Sequence, residues 1–368
     1  MIRNYFICST KYQLFNCCNI IHEKYNNNNN ENILLIIILN NELSNELFAI
    51  SKKSKLFTDI KLVNIGVPTY YKKISLCFIK YYLNLLFKIF FSNTLIEIND
   101  YNINNVFITF TDVFSRIIAY KIICKYNSNL YFYEDGIASY LNVISSKAYN
   151  LKNKLLCRRF GFFLIEKCKG LYIYEPTYLV DNPYNINIFK ISKLNVSGNY
   201  EKNLYKIMSL DGFVKTSDTN YIYYDGYFND EKYNEKSLQL INIIANEIDK
   251  SLYIKHHPSK KSSQINFLNC KIYNYKDSSE ITNLVYSQKN KILISNISTA
   301  CVTPKIIYNE EPIVILLYKL FDNYKNIWGD LDLFFMNVKL SYSNQNNFFI
   351  PETIDDLKIY LKNINGNY

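Results

Sequence analysis

The amino-acid sequence predicts two doubly wound α/β domains in tandem, and three observations carry that expectation. At 368 residues the chain is long for one core, because single domains are usually shorter. Short continuous apolar runs alternate with longer amphipathic segments from end to end, as parallel strands covered by helices on both faces require. An irregular middle, broken by Pro176 and Pro183, interrupts that alternation once.

In the first series, strands are expected at 5–8, 33–39, 61–65, 106–110 and 130–133, with helices at 12–25, 42–54, 71–91 and 113–126. The segment 151–193 reads as irregular. The second series has strands at 221–224, 252–255, 271–275, 292–295 and 313–317, with helices at 231–248, 279–288, 303–308 and 354–363. The domains therefore divide into 1–185 and 186–368. Two such domains facing each other make a cleft at the carboxyl ends of their strands, where open α/β sheets take ligands.

Composition narrows the function classes. Apolar content of 49% is ample for a real core. The 9 Gly and 7 Pro residues are few, whereas Asn, Ile, Lys and Tyr are abundant. This skew follows from AT-rich codons, so Asn26 to Asn30 reads as a surface loop rather than a functional tract. A net charge of +10 points to an acidic partner: a nucleotide, an anionic sugar or a membrane surface. Nucleic acid is disfavoured, because Lys is dispersed and no aromatic-plus-basic module occurs.

The 9 cysteines contain no Cys-x-x-Cys pair, and the N-terminal apolar stretch is too short for a secretory signal. Reduced thiols in a cytoplasmic protein are expected, with neither a disulfide frame nor a zinc site. No transmembrane span is expected either. In 74–91, Lys80, Asn84 and Lys88 recur every fourth residue on one helical face. A core helix with one wet face accounts for this, and a helix lying on a membrane surface is the alternative.

Only 3 histidines occur in the chain. His22 falls in an amphipathic helix and reads as surface or packing. His256 and His257 end the expected strand 252–255 and precede Pro258. An imidazole at a strand end can deliver a proton near neutrality, and Lys255 beside it would favour a phosphate. Tyr131-Phe132-Tyr133-Glu134-Asp135-Gly136 ends another strand with two acids and a Gly that lets the chain turn. Tyr221-Ile222-Tyr223-Tyr224-Asp225-Gly226 repeats that pattern in the second half. Glu134, Asp135 and Asp225 thus compete for the role of general base.

After the strand 292–295, Ser298 and Thr299 stand at an expected helix start, where hydroxyls cap and free N–H groups attract anions. Ser9-Thr10-Lys11-Tyr12-Gln13 opens the first helix in the same manner, which makes Thr10 and Gln13 candidate contacts to substrate. Gly136 and Gly226 join them through the turns they permit. No Gly-x-Gly-x-x-Gly, P-loop or Gly-x-Ser-x-Gly pattern is present. Asp211-Gly212 reads as a turn. Asp330-Leu331-Asp332 spells an acid-x-acid tripeptide that arises often by chance, and no metal is assigned to it.

With these motifs placed, the chain resembles glycosyltransferase family 52, the bacterial lipooligosaccharide and capsule α-2,3-sialyltransferases. The resemblance rests on Ile7-Cys8-Ser9-Thr10-Lys11-Tyr12-Gln13-Leu14, Tyr133-Glu134-Asp135-Gly136, Lys255-His256-His257-Pro258 and Ser298-Thr299. The order of these elements and the chain length match over essentially the whole chain, and since each motif is short, the specificity comes from their order. The chain departs from the family's commoner Thr-Pro-Leu-Gln opening, with Lys11 and Tyr12 in the middle. The resemblance implies the two-domain GT-B fold, CMP-N-acetylneuraminic acid as co-substrate, inversion at the anomeric carbon, and no metal or other cofactor.

It further implies that His257 protonates the departing CMP phosphate. The base it implies is Asp225, or Glu134 or Asp135 by analogy with the related polysialyltransferases. Lys255, Ser298 and Thr299 would hold the phosphate or the sialyl carboxylate. An oligosaccharide acceptor ending in galactose, linked α-2,3, is the expected partner, taken on the N-terminal side. A homodimer and peripheral association with the inner membrane are further expectations. Two alternatives stay open: a transferase of the same fold using another nucleotide sugar, and a non-catalytic nucleotide- or glycan-binding protein.

Overall fold

Runs that are apolar on both faces become parallel strands, because only full burial by flanking helices satisfies them. The computed structural model describes residues 1–64, 102–110, 112–141, 164–182, 185–196, 198–208, 220–226, 231–248, 250–256, 270–273, 278–284, 286–322 and 324–365. The chain divides into two units, Met1–Ser192 and Lys193–Tyr368.

The first unit runs β1 (Ile2–Cys8), α1 (Lys11–Ile20), β2 (Asn30–Ile37), α2 (Asn41–Ser54), β3 (Asp59–Val63), β4 (Asn105–Ile108), α3 (Val113–Tyr126), β5 (Asn129–Tyr133), β6 (Cys168–Ile173) and β7 (Ile188–Lys190). Its sheet has 7 strands in the order β3-β2-β1-β4-β5-β6-β7, and every pairing is parallel. The strand order turns back between β1 and β4, which makes a topological switch point there.

The two faces of this sheet differ in chemistry. One packs Tyr5, Ile7, Leu35, Ile37, Val106, Ile108 and Phe132 into an aliphatic core with α3. Across the strands runs a row of rings: Phe6 on Phe107 at 4.3 Å, Phe107 on Tyr131 at 5.0 Å, Tyr131 against Tyr172 at 5.9 Å and Tyr172 on Phe189 at 5.0 Å. Such cross-strand ring pairs stabilise a sheet directly.

Asparagine, read from the sequence as codon bias, also works here. Asn4 is fully buried and donates to Asn32 at 3.0 Å, Asn105 donates to Asn4 at 2.8 Å, and Asn129 donates to Asn105 at 3.2 Å. The amides thus tie β2, β1, β4 and β5 together near their starts.

Helix boundaries follow local chemistry. Thr10 and Asp112 cap α1 and α3, accepting from the amides of Gln13 and Phe114, and left-handed Asn127 ends α3. The expected helix 12–25 is α-helical only to Ile20 and continues as a π turn, Ile21–Tyr25, on which His22 is exposed. The expectation of an irregular middle is corrected by β6 and β7. Their side chains are partly exposed, and pairing rather than apolar periodicity makes them strands.

The second unit runs α4 (Asn199–Met208), β8 (Tyr221–Tyr224), α5 (Glu231–Glu247), β9 (Leu252–Lys255), β10 (Cys270–Ile272), α6 (Ser279–Thr282), β11 (Ile292–Ser295), α7 (Thr303–Tyr308), β12 (Ile313–Leu316), α8 (Tyr324–Leu340), β13 (Phe348–Phe349) and α9 (Ile354–Asn365). Its sheet has 6 strands in the order β10-β9-β8-β11-β12-β13, again all parallel. β8, β11 and β12 are buried throughout. The switch point lies between β8 and β11. The helix expected at 279–288 stops at Thr282, and α4 and α8 are additions to the expected elements.

Among the described residues no helix is long and apolar enough to cross a membrane. Cys8, Cys17, Cys18 and Cys301 are buried free thiols, and Cys124 is exposed. The expected helix at 71–91, with its amphipathic stretch 74–91, lies outside the described residues, as does Asp211-Gly212.

Candidate functional site

In the second unit the strand ends are level. Tyr224 pairs with Lys255 on one side and with Ser295 on the other, so the first residues past β8, β9 and β11 emerge at one edge. Neighbouring strands lie about 4.8 Å apart, and side chains leaving adjacent ends can touch.

Asp225 and His256 do so. The Asp225 amide donates to the Lys255 carbonyl at 2.9 Å, and His256 Nδ1 lies 3.1 Å from Asp225 Oδ2. The Asp225 side chain is 1% exposed and that of His256 14%. A carboxylate in contact with Nδ1 accepts its proton, which leaves the lone pair on Nε2. His256 Nε2 is buried and has no hydrogen-bond partner among the described residues.

The β11 end is pinned beside them. Ser295 Oγ donates to the Tyr224 carbonyl at 2.8 Å and accepts from the Ser298 amide at 2.9 Å. Tyr223 donates to Asn296 at 2.9 Å, and Asn296 donates to Ser237 on α5 at 2.9 Å. Ser298 Oγ accepts from the Ala300 amide at 3.2 Å. The expected helix start is thus a short 3₁₀ turn, Thr299–Cys301, with α7 following it. A turn of that length carries little of a helix dipole. Thr299 and Gly226 are half-buried at the same edge, and so is Lys255. His257 lies outside the described residues.

In the first unit, the acid-acid-Gly motif follows β5. Glu134 is buried and accepts from Tyr12 at 3.0 Å, from Tyr140 at 2.5 Å and from the Tyr174 amide at 3.1 Å. Burial pushes its carboxyl up to about 7, against the opposing effect of the Tyr140, Tyr174 and Tyr12 hydrogen bonds. Its backbone carbonyl accepts from Asn16 at 2.9 Å.

Asp135 is half-buried instead, and Gln13 Nε2 stands 3.3 Å from both of its oxygens. Gln13 Oε1 accepts from the Ser9 amide at 2.8 Å, which fixes the amide's direction. Gly136 has φ 76°, a left-handed conformation that a side chain would strain. Thr10 is committed as the α1 cap. The structure therefore joins Gln13 to Asp135, and it surrounds Glu134 with phenols that the motif did not single out.

The sequence motifs single out His257 rather than His256, and they do not single out Tyr12, Tyr140 or Tyr174. One signal for His256 was available: 221–224 and 252–255 are equally long strands, and level pairing would bring Asp225 and His256 together. Asp332 of the acid-x-acid tripeptide accepts from Tyr318 and lies 3.6 Å from Lys319 Nζ, so a phenol and an ammonium already occupy it.

No family model matches the chain, and a search of the curated proteins gives no match. Solved structures do match. Arabidopsis thaliana UGT89C1 complexed with UDP-L-rhamnose is 9% identical over 98% of this chain and 89% of that one, with a TM-score of 0.54. The S. aureus MnaA–UDP co-structure is 10% identical over 100% of this chain and 88% of that one, at 0.53. The glycotransferase of kitacinnamycin is 7% identical over 99% of this chain and 90% of that one, at 0.52. At these identities the likeness concerns the backbone alone. With parallel sheets of 7 and 6 strands, the chain has the two-Rossmann-domain architecture of the GT-B fold.

Proposed function

We propose that this protein is a nucleotide-sugar-dependent glycosyltransferase of the inverting, metal-independent kind, moving N-acetylneuraminic acid from CMP to a sugar hydroxyl of a bacterial lipooligosaccharide or capsule. The observation that carries the reading is the cluster at one edge of the second sheet: Asp225, His256, Ser298 and Thr299 past level strand ends. Open α/β sheets bind ligands at such an edge. The motif order that resembles family 52 points to the donor, and a net charge of +10 suits a CMP-sugar and an anionic acceptor.

In this reading the second unit takes the donor and the first the acceptor. A carboxylate, Asp225 or the Glu134-Asp135 pair, receives the acceptor's proton as the anomeric C–O bond to phosphate stretches. His257 protonates the leaving phosphate, while Lys255, Ser298 and Thr299 steady its charge. Of the first-unit acids, Asp135 has the exposure for such work, whereas Glu134 already accepts from phenols. The protein works as a dimer at the inner membrane surface.

A second reading, transfer from a UDP-sugar, is favoured by solved structures of the same fold that hold UDP and UDP-L-rhamnose. Product analysis with CMP-N-acetylneuraminic acid against UDP-hexoses separates the two. The proposal expects sialyl transfer that EDTA leaves unchanged. Transfer from a UDP-sugar alone, or loss of activity in EDTA, overturns it.

A further inference from the structure

We propose that His256 is the base that takes the acceptor's proton, and that Asp225 acts through it as a positioning residue. This rests on the transferase reading above and changes which atom receives the proton. The Asp225 side chain is 1% exposed, and its Oδ2 faces His256 Nδ1 at 3.1 Å. A carboxylate already engaged by an imidazole is placed to hold that ring with its proton on Nδ1 rather than to take a proton from a sugar hydroxyl itself. The opposite nitrogen, Nε2, then carries a lone pair.

That nitrogen is buried and without a hydrogen-bond partner among the described residues. Native structures rarely leave a buried acceptor unpaired unless it serves a ligand or a reaction. His256 is the first residue past β9, at the edge where this fold takes ligands. Lys255 precedes His256 at the end of β9, and the titratable groups that feel the Asp225 charge are the phenols of Tyr223 and Tyr233. Tyr223 is committed to Asn296.

The step balances simply. Nε2 takes the hydroxyl proton, the oxygen's electron pair forms the new bond to the anomeric carbon, and the bond from that carbon to the phosphate oxygen breaks. CMP leaves with that pair. The imidazolium keeps its Nδ1–H on Asp225 and later returns the Nε2 proton to water.

The test uses the full chain: transfer kinetics from pH 5 to 9 for the wild type, His256→Gln and Asp225→Asn, with ¹⁵N-imidazole NMR of the wild type. The expected result is a fall in kcat of about 10²-fold or more for His256→Gln, with KM for the donor changed only a few-fold and the acidic limb of the profile gone. Asp225→Asn should lower kcat with the donor KM little changed, because an amide no longer holds the imidazole with its proton on Nδ1. NMR of neutral His256 should report the Nδ1–H tautomer.

Near-normal turnover in His256→Gln overturns the proposal, as does an Nε2–H tautomer in the wild type, a readout independent of how any variant folds. A wild type that transfers nothing from any donor overturns the transferase reading and this base with it. An active wild type with an active His256→Gln overturns only the base.

Discussion

Two carboxylates follow two strands in nearly the same local sequence, and their surroundings make them different groups. Glu134, after the Tyr131-Phe132-Tyr133 strand end, is enclosed by the phenols of Tyr12 and Tyr140 and the amide of Tyr174. Asp225, after Tyr221-Ile222-Tyr223-Tyr224, is just as buried but meets an imidazole. A phenol donates a hydrogen bond and keeps its proton at neutral pH, whereas an imidazole exchanges its proton there. Burial alone therefore does not decide what a carboxylate can do; the chemistry of the group it meets does.

The largest expected effect falls on the reactive side. His257→Ala should lower kcat by about 10²–10⁴-fold if that residue protonates the leaving phosphate, while the melting temperature stays near that of the wild type. Steady-state kinetics beside thermal unfolding checks this, and near-normal turnover in a folded variant removes His257 from the role of acid.

The next effect is on stability. Glu134 is raised by burial from 4.5 to about 7, so its neutral form suits the folded state. That contribution is complete below pH 4.5 and is lost as pH rises through 7. Relative to Glu134→Gln, the wild type should lose on the order of 3 kcal/mol of unfolding free energy across that window. Denaturant titrations at pH 4.5, 6 and 8 measure it, and a difference between the two proteins that does not change with pH would falsify the assignment.

Tyr140→Phe removes one donor to Glu134 without a change of shape. A cost of about 1–3 kcal/mol at pH 8 is expected, and a smaller one at pH 4.5, where the carboxyl is neutral. Thr10→Ala, which removes the α1 cap, should cost about 1 kcal/mol with little pH dependence. Equal pH dependence in these two variants would show that the Glu134 enclosure is no more than ordinary packing.

Much of this molecule was legible before its structure. Strands Tyr221–Tyr224, Leu252–Lys255 and Ile292–Ser295 and helices Val113–Tyr126 and Thr303–Tyr308 fall at the expected residues, because apolar runs, caps and period are local properties. β6 and β7 were not legible. β6 holds Gly170 and polar residues among its apolar ones and β7 has only 3 residues, so the neighbouring strand and the ring row through Tyr172 and Phe189 make them part of the sheet.

The candidate site divides in the same way. By itself the sequence determined the alternation of elements, the two Rossmann-like units, and the strand ends that carry Glu134, Asp135, Asp225, Lys255 and the histidines. Period and turn residues act over a few positions, and that is enough for such features. Tertiary structure alone decided that His256 meets Asp225, that phenols close around Glu134, and that Asn4, Asn32, Asn105 and Asn129 bind four strands together. The asparagine pairs and the Asp225–His256 pair join distant segments through strand register, which comes from the packing of the whole sheet, and Tyr12 reaches Glu134 from a helix packed on that sheet.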